Sequence, residues 1–128
     1  MEGMRKTQLG GVLLAAATLL STILAGSASA DRPWSRLTLT AGATTVWLEC
    51  HPAGGSHPDP KSACRAIRAA HGDFDSLPDS PTFVACTMEY RPVIASVRGT
   101  WHGHRVHWTH KYANPCTLRA DTGVVFDF

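Results

Sequence analysis

Leu37-Thr38-Leu39-Thr40, then Ala41-Gly42-Ala43, then Thr45-Val46-Trp47-Leu48-Glu49: apolar and polar residues alternate on either side of a glycine. Alternation with a period of two sends one set of side chains to each face of a strand, and a glycine between two such runs permits a tight reversal. The stretch therefore predicts a β-hairpin turning around Gly42.

Downstream, Cys50 to Pro60 is dense in Gly, Pro, Ser and His and predicts an irregular loop. Asp59-Pro60 then predicts a helix start, because a carboxylate caps free amides and proline suits the first helical position. Ala63, Cys64, Ile67 and Ala70 share one face of that helix, Lys61, Arg65 and Arg68 point to water, and Gly72 stops it after about three turns. A second irregular stretch covers Asp73 to Pro81. Strand-like segments follow at Val93 to Val97, Trp101, Arg105 to Tyr112 and Val124 to Phe128, with Gly99 and Gly103 as breaks. The expected class is α+β: a single domain with an antiparallel sheet of about five strands and one main helix over it. There are no internal repeats and no linker.

Upstream, Arg5 and Lys6 precede a mainly apolar run from Leu9 through Ala25, then Gly26-Ser27-Ala28-Ser29-Ala30 before Asp31. A basic start, an apolar middle and small residues at an A-x-A site predict a secretory signal peptide over 1–30, cleaved after Ala30. Gly10, Gly11, Thr18, Ser21 and Thr22 interrupt the run and no basic stop-transfer patch follows, which argues against a membrane anchor. The expected product is an extracellular domain over 31–128, with no membrane association after cleavage. Losing Glu2, Arg5 and Lys6 brings the chain's formal +2 to about +1, which speaks against nucleic acid as a partner. One domain of this size has a modest core, so staples would help. The four cysteines, Cys50, Cys64, Cys86 and Cys116, all lie in the exported part and predict two disulfides, for which three pairings are open. Sequential pairing would close each loop with a gain of about 3 kcal/mol. No two cysteines have zinc-ligand spacing.

The segment that bears on function is Val84-Ala85-Cys86-Thr87-Met88-Glu89-Tyr90-Arg91-Pro92. Its residues are strand-like, yet a cysteine pins one end and a proline the other, so it predicts an exposed, extended, stiffened loop. A serine protease binds an extended peptide by main-chain hydrogen bonds and fills its primary pocket with one side chain. Met88, long, unbranched and apolar, suits the hydrophobic pocket of a subtilisin-like or chymotrypsin-like enzyme, whereas a trypsin-like pocket takes Arg or Lys. A loop already rigid in its bound form loses little entropy on docking. If the Met88–Glu89 bond were cut, the disulfide at Cys86 would hold the acyl half, Pro92 and the sheet would hold the amine half, and the bond could re-form.

Across nearly all of 31–128 the chain resembles the subtilisin inhibitor-like family of streptomycete secreted proteins. The resemblance is carried by Leu37-Thr38-Leu39-Thr40, Ser56-His57-Pro58, Ala63-Cys64, Gly72-Asp73-Phe74, Cys86-Thr87-Met88-Glu89-Tyr90, Arg91-Pro92-Val93, Val97-Arg98-Gly99-Thr100-Trp101, Gly103-His104-Arg105-Val106, Ala113-Asn114-Pro115-Cys116 and Val125-Phe126-Asp127-Phe128. It implies the pairs Cys50–Cys64 and Cys86–Cys116, a five-stranded antiparallel sheet with one main and one short helix, and a homodimer packed through the sheets. It further implies that Met88–Glu89 is the reactive bond, that Ala85, Cys86, Thr87 and Tyr90 contact the protease, and that Asn114 supports the loop from behind. The loop from His51 to Pro58 is similar to a family region that makes secondary enzyme contacts. Three departures stand out: the hairpin at Gly42 is shorter than the family's, Thr87 stands where proline is common, and Glu89 puts a carboxylate beside the reactive bond.

A rival reading comes from the histidines. His102, His104, His107 and His110 crowd one hairpin, and imidazoles on adjoining strands can converge on zinc or copper, which would make the chain a secreted metal- or ligand-binding module. On a strand, however, His107 and His110 point to opposite faces, so the expectation is no metal site and no cofactor. Trp34, Trp47, Trp101 and Trp108 read as packing residues. Nothing resembles a nucleophile elbow, an HExxH helix or a phosphate-binding loop, so the chain does not read as an enzyme.

Overall fold

The computed structural model describes Gly3, Gly10 and Gly11, and then residues 35–80 and 85–128. Apart from those three glycines, the segment expected to be a signal peptide lies outside the described residues, as do the expected cleavage point at Ala30, Trp34 and Val84. Contacts divide the chain into Met1–Ala30 and Asp31–Phe128, and every element below belongs to the second unit.

The hairpin forms as the alternation dictates. Strand β1 (Ser35–Ala41) pairs antiparallel with β2 (Thr44–Cys50), Leu37 opposite Leu48 and Leu39 opposite Val46. Leu37, Leu39 and Leu48 are completely buried, while Arg36 and Thr38 between them face outward. The other side of β1 pairs with β4 (Val93–Trp101), which pairs with β5 (His104–Tyr112). A two-residue strand β3 (Gly54–Gly55) adds to β2, giving one antiparallel sheet in the order β3-β2-β1-β4-β5.

Helix α1 (Pro60–Ala69) lies over the inner face with Ala63, Cys64 and Ile67 buried. Its cap is the expected one: Asp59 Oδ1 accepts from the Ser62 amide at 3.2 Å. The Ser62 side chain, and after it that amide, hold the Asp59 carboxyl below the usual carboxylate range. Cys50 joins Cys64 with Cα atoms 5.7 Å apart, tying β2 to α1. Helix α2 (Pro115–Thr122) follows β5, and Cys86 joins Cys116 in its first turn.

Three expectations need correcting. The Cys50–Pro60 loop is not wholly irregular, because Gly54 and Gly55 reach back to pair with Glu49 and Leu48. Gly99 does not break the chain; it sits inside β4 with φ of 141°, where a β-carbon would run into the Arg36 carbonyl of β1. Here glycine marks a close backbone approach within a strand. Val124–Phe128 is not a strand: Gly123–Phe126 is a turn of 3-10 helix whose Val125 and Phe126 are buried against α1. A short apolar run is not assigned by periodicity alone, and this one fills the core beneath the sheet. The buried His57 clamps it. His57 Nε2 donates to the Val125 carbonyl at 3.0 Å, and Nδ1 accepts from the Asp59 amide at 3.0 Å, so these two bonds define its tautomer.

Candidate functional site

Between the described start at Ala85 and the first residue of β4, the chain has no regular structure. It is nevertheless held at several points. Cys86 is bonded to Cys116 on α2, and the Arg91 amide donates to the Ala113 carbonyl at 2.9 Å. Behind the centre of the loop stands Asn114, 4% exposed.

Asn114 caps α2. Its Oδ1 accepts from the Thr117 amide at 2.9 Å while its own amide donates to Thr117 Oγ1 at 3.2 Å, a reciprocal capping box with Pro115 in the first turn. That leaves the side-chain Nδ2, which donates to the Thr87 carbonyl at 3.2 Å and to the Glu89 carbonyl at 2.9 Å. The amide cannot be turned over, since Oδ1 would then oppose two carbonyl oxygens and Nδ2 would oppose an N–H. One buried side chain thus fixes both a helix start and the two peptide groups that bracket Met88.

The loop is held from behind through its backbone, by the carbonyls of Thr87 and Glu89. The side chain between them is left in solvent, and Met88 is 99% exposed. Leaving a methionine in water forgoes about 1.5–3 kcal/mol of burial. Tyr90 is 68% exposed. Lys111 Nζ lies 5.9 Å from its ring centroid, and Arg91 Nε reaches Glu89 Oε1 at 3.5 Å. Ala85, Thr87 and Pro92 are exposed, and Cys86 is half-buried.

Sequence reasoning missed four of these contributors: Thr117, Ala113, Arg91 and Lys111. The run Asn114-Pro115-Cys116-Thr117 carried a usable signal for the first of them, an N-cap followed by proline and a hydroxyl residue three positions on. Ala113 and Lys111 meet the loop across the fold, and Arg91, although it lies in the loop, gains its anchoring role only through Ala113.

The His51–Pro58 loop does not join this site. Cys50 pairs with Ser35, whose strand neighbour Arg36 pairs with Thr100, so His51 lies at the Trp101 end of β4 and Met88 at the Val93 end. Nor do the hairpin histidines converge: among the described residues no three His, Cys, Asp or Glu side chains are placed to hold a metal ion. His110 instead stacks on Trp108 and lies tilted against Tyr112, and His102 stacks on Trp101. Burial pushes the Tyr112 hydroxyl above its ordinary value, with Asp121 and Asp75 adding to it. Among the described residues no helix is long and apolar enough to cross a membrane.

The model of the subtilisin inhibitor-like family matches residues 32–114. The chain belongs to that family. A protease inhibitor from Streptomyces netropsis is 40% identical over 117 residues, 91% of this chain and 99% of that one. A subtilase-type protease inhibitor from Streptomyces fradiae is 37% identical along the whole of both chains. Among solved structures, sermetstatin from Streptomyces caespitosus in complex with subtilisin from Bacillus licheniformis is similar with a TM-score of 0.64 and 29% identity, covering 73% of this chain and 98% of that one. The family is one of protease inhibitors, and the disulfide pairing, five-stranded sheet and two helices expected from the resemblance are those of this fold.

Proposed function

We propose that this protein is a secreted, substrate-like inhibitor of subtilisin-like serine proteases, with chymotrypsin-like enzymes as a second target class, and that Met88–Glu89 is its reactive bond. The observation that carries the reading is the fully exposed Met88 held between two carbonyls by one buried amide. In extended backbone successive carbonyls alternate, so that of Met88 faces away from Asn114, open to a catalytic serine and its oxyanion donors. Ala85, Cys86 and Thr87 lie along the acyl side and Tyr90 on the amine side. Asn114, the Cys86–Cys116 bond and Pro92 keep both ends in register after any cleavage, so religation competes with release. The named function of the S. fradiae and S. netropsis relatives supports the protease class, and the solved complex supports a subtilisin as the partner. Export is supported by the signal-peptide pattern of residues 1–30, and the reading requires no enzymatic activity and no cofactor.

Titrating the protein 31–128 into subtilisin, followed by mass spectrometry of the complex after brief acid treatment, tests both parts. The expected result is one-to-one loss of enzyme activity with a single slow cut after Met88. Rapid cutting at many bonds with full enzyme activity overturns the inhibitor reading, and stoichiometric inhibition with a cut elsewhere overturns the site.

The proposal includes a homodimer through the outer face of the sheet. That face exposes Trp47 and Ile94 together with Arg36, Arg98, Arg105 and Lys111, against a lone carboxylate on Glu49. A two-fold axis sets like charges against each other, so association should tighten as salt screens them. Sedimentation equilibrium across a salt series would show a dimer favoured at high salt, or, against the proposal, a monomer throughout.

A further inference from the structure

Three reversals of the chain meet at the end of the sheet remote from Met88: the exit from β2, the exit from α1, and the turn from β4 into β5. A histidine occupies each in left-handed backbone, His51 with φ of 74°, His71 with 54° and His102 with 46°, and these are the only non-glycine residues with positive φ among the described residues. Two of these are ordinary turn positions: His71 precedes Gly72 at the end of α1, and His102 with Gly103 makes the two-residue turn between β4 and β5, so each turn holds its histidine in place.

Beside them opens a cleft of about 520 Å3 lined by Cys50, His51, Arg68, Trp101 and His102, a volume within the roughly 300–1,000 Å3 of small-molecule sites. Its floor is apolar, with Cys50 and Trp101 almost completely buried. Its rim is cationic or hydrogen-bonding: His51, Arg68 and His102 are exposed, each from a different element, and no carboxylate is among the lining residues. Among the described residues Arg68 has no ion-pair partner, and the rings of His51 and His102 make no hydrogen bond. His102 is nonetheless fixed. Its ring lies flat on Trp101, centroids 4.6 Å apart and planes 10° from parallel, and its backbone amide donates to the buried Ser35 Oγ at 3.0 Å.

We propose that this cleft binds a small organic oxyanion, a phosphate or carboxylate gripped by Arg68 with His51 and His102, carried on an aromatic body laid against Trp101 and Cys50. Arginine supplies a planar fork for such groups, and imidazole supplies single N–H donors. Eight residue steps along β4, about 26 Å, separate Trp101 from the start of the strand beside the reactive loop. The ligand and a protease can therefore be bound at once.

An NMR titration of the 15N-labelled protein with 1-naphthyl phosphate and with 1-naphthoate tests the site, with 1-naphthol and inorganic phosphate as comparisons. Saturable shifts are expected at His51, Arg68, Trp101 and His102, with Kd at or below about 1 mM for one or both naphthyl anions. The tighter of the two anions identifies the oxyanion. The neutral alcohol and the bare phosphate should each bind at least about tenfold more weakly, as should the best anion to Arg68→Ala. Arg68→Ala should inhibit subtilisin like the parent, which shows that the variant is folded. No saturable shift, equal binding of 1-naphthol, or undiminished binding to a folded Arg68→Ala would overturn the proposal.

Discussion

The two disulfides span the same Cα distance, 5.7 Å, yet they occupy unlike surroundings. Cys50–Cys64 is buried at both ends and joins the end of β2 to the main helix. Cys86–Cys116 joins an otherwise unstructured loop to the first turn of a short helix, with Cys86 half-buried. The first ties together elements that core packing already holds. The second holds a segment that has almost no packing of its own, because its side chains are directed at water. A staple in the core contributes to folding, whereas a staple under an exposed loop contributes to what that loop can do.

Removing each staple in turn separates these roles and gives the largest effects. Replacing both Cys50 and Cys64 by Ala should lower unfolding stability by about 2–5 kcal/mol, read by denaturant titration, while the molecules that remain folded inhibit subtilisin with parental affinity. Replacing both Cys86 and Cys116 by Ala should turn the inhibitor into a substrate, read as sustained cleavage after Met88 without lasting inhibition. The comparison fails if the two double variants lose inhibition and stability in the same proportion.

Asn114 links the two regions, so its replacement should show in both assays. Asn114→Ala removes a helix cap, a loss of about 1 kcal/mol, and frees the carbonyls of Thr87 and Glu89, so hydrolysis of the Met88–Glu89 bond should accelerate by more than the stability change accounts for. Asn114→Asp keeps the acceptor for the Thr117 amide but sets a carboxylate against two carbonyls. It should retain the cap and still lose loop rigidity. Parental hydrolysis rates in both variants would remove Asn114 from the account.

The smallest effect is expected at Arg91. Its contact with Glu89 is 3.5 Å long between side chains 70% and 59% exposed, and exposed pairs contribute about 0–1 kcal/mol. Arg91→Ala should weaken subtilisin binding less than about tenfold. A larger loss would mean that Arg91 touches the enzyme directly.

How much of this was legible beforehand depends on whether the signal was local. The alternation from Leu37 to Glu49, the Asp59-Pro60 cap and the pinned loop around Met88 all announce themselves within a few residues. Val124–Phe128 was misread because an apolar run looks alike whether it pairs in a sheet or fills the space beneath one, and only the partner, His57 far away in sequence, decides. Gly99 misled for a related reason: the cause of the glycine is the Arg36 carbonyl on another strand. Asn114 is a turn residue by local chemistry, and its second role through Nδ2 exists only once the loop has folded over it.

The central claim is that Met88 enters the primary pocket of the protease, and Met88→Lys tests it most directly, by titration against subtilisin and trypsin in parallel. The side chain is 99% exposed and the loop is held through its backbone, so the fold should be unaffected. Inhibition should move from subtilisin toward trypsin by orders of magnitude, because a trypsin-like pocket takes a cationic side chain and a hydrophobic one does not. Unchanged inhibition of subtilisin with none of trypsin would contradict the account.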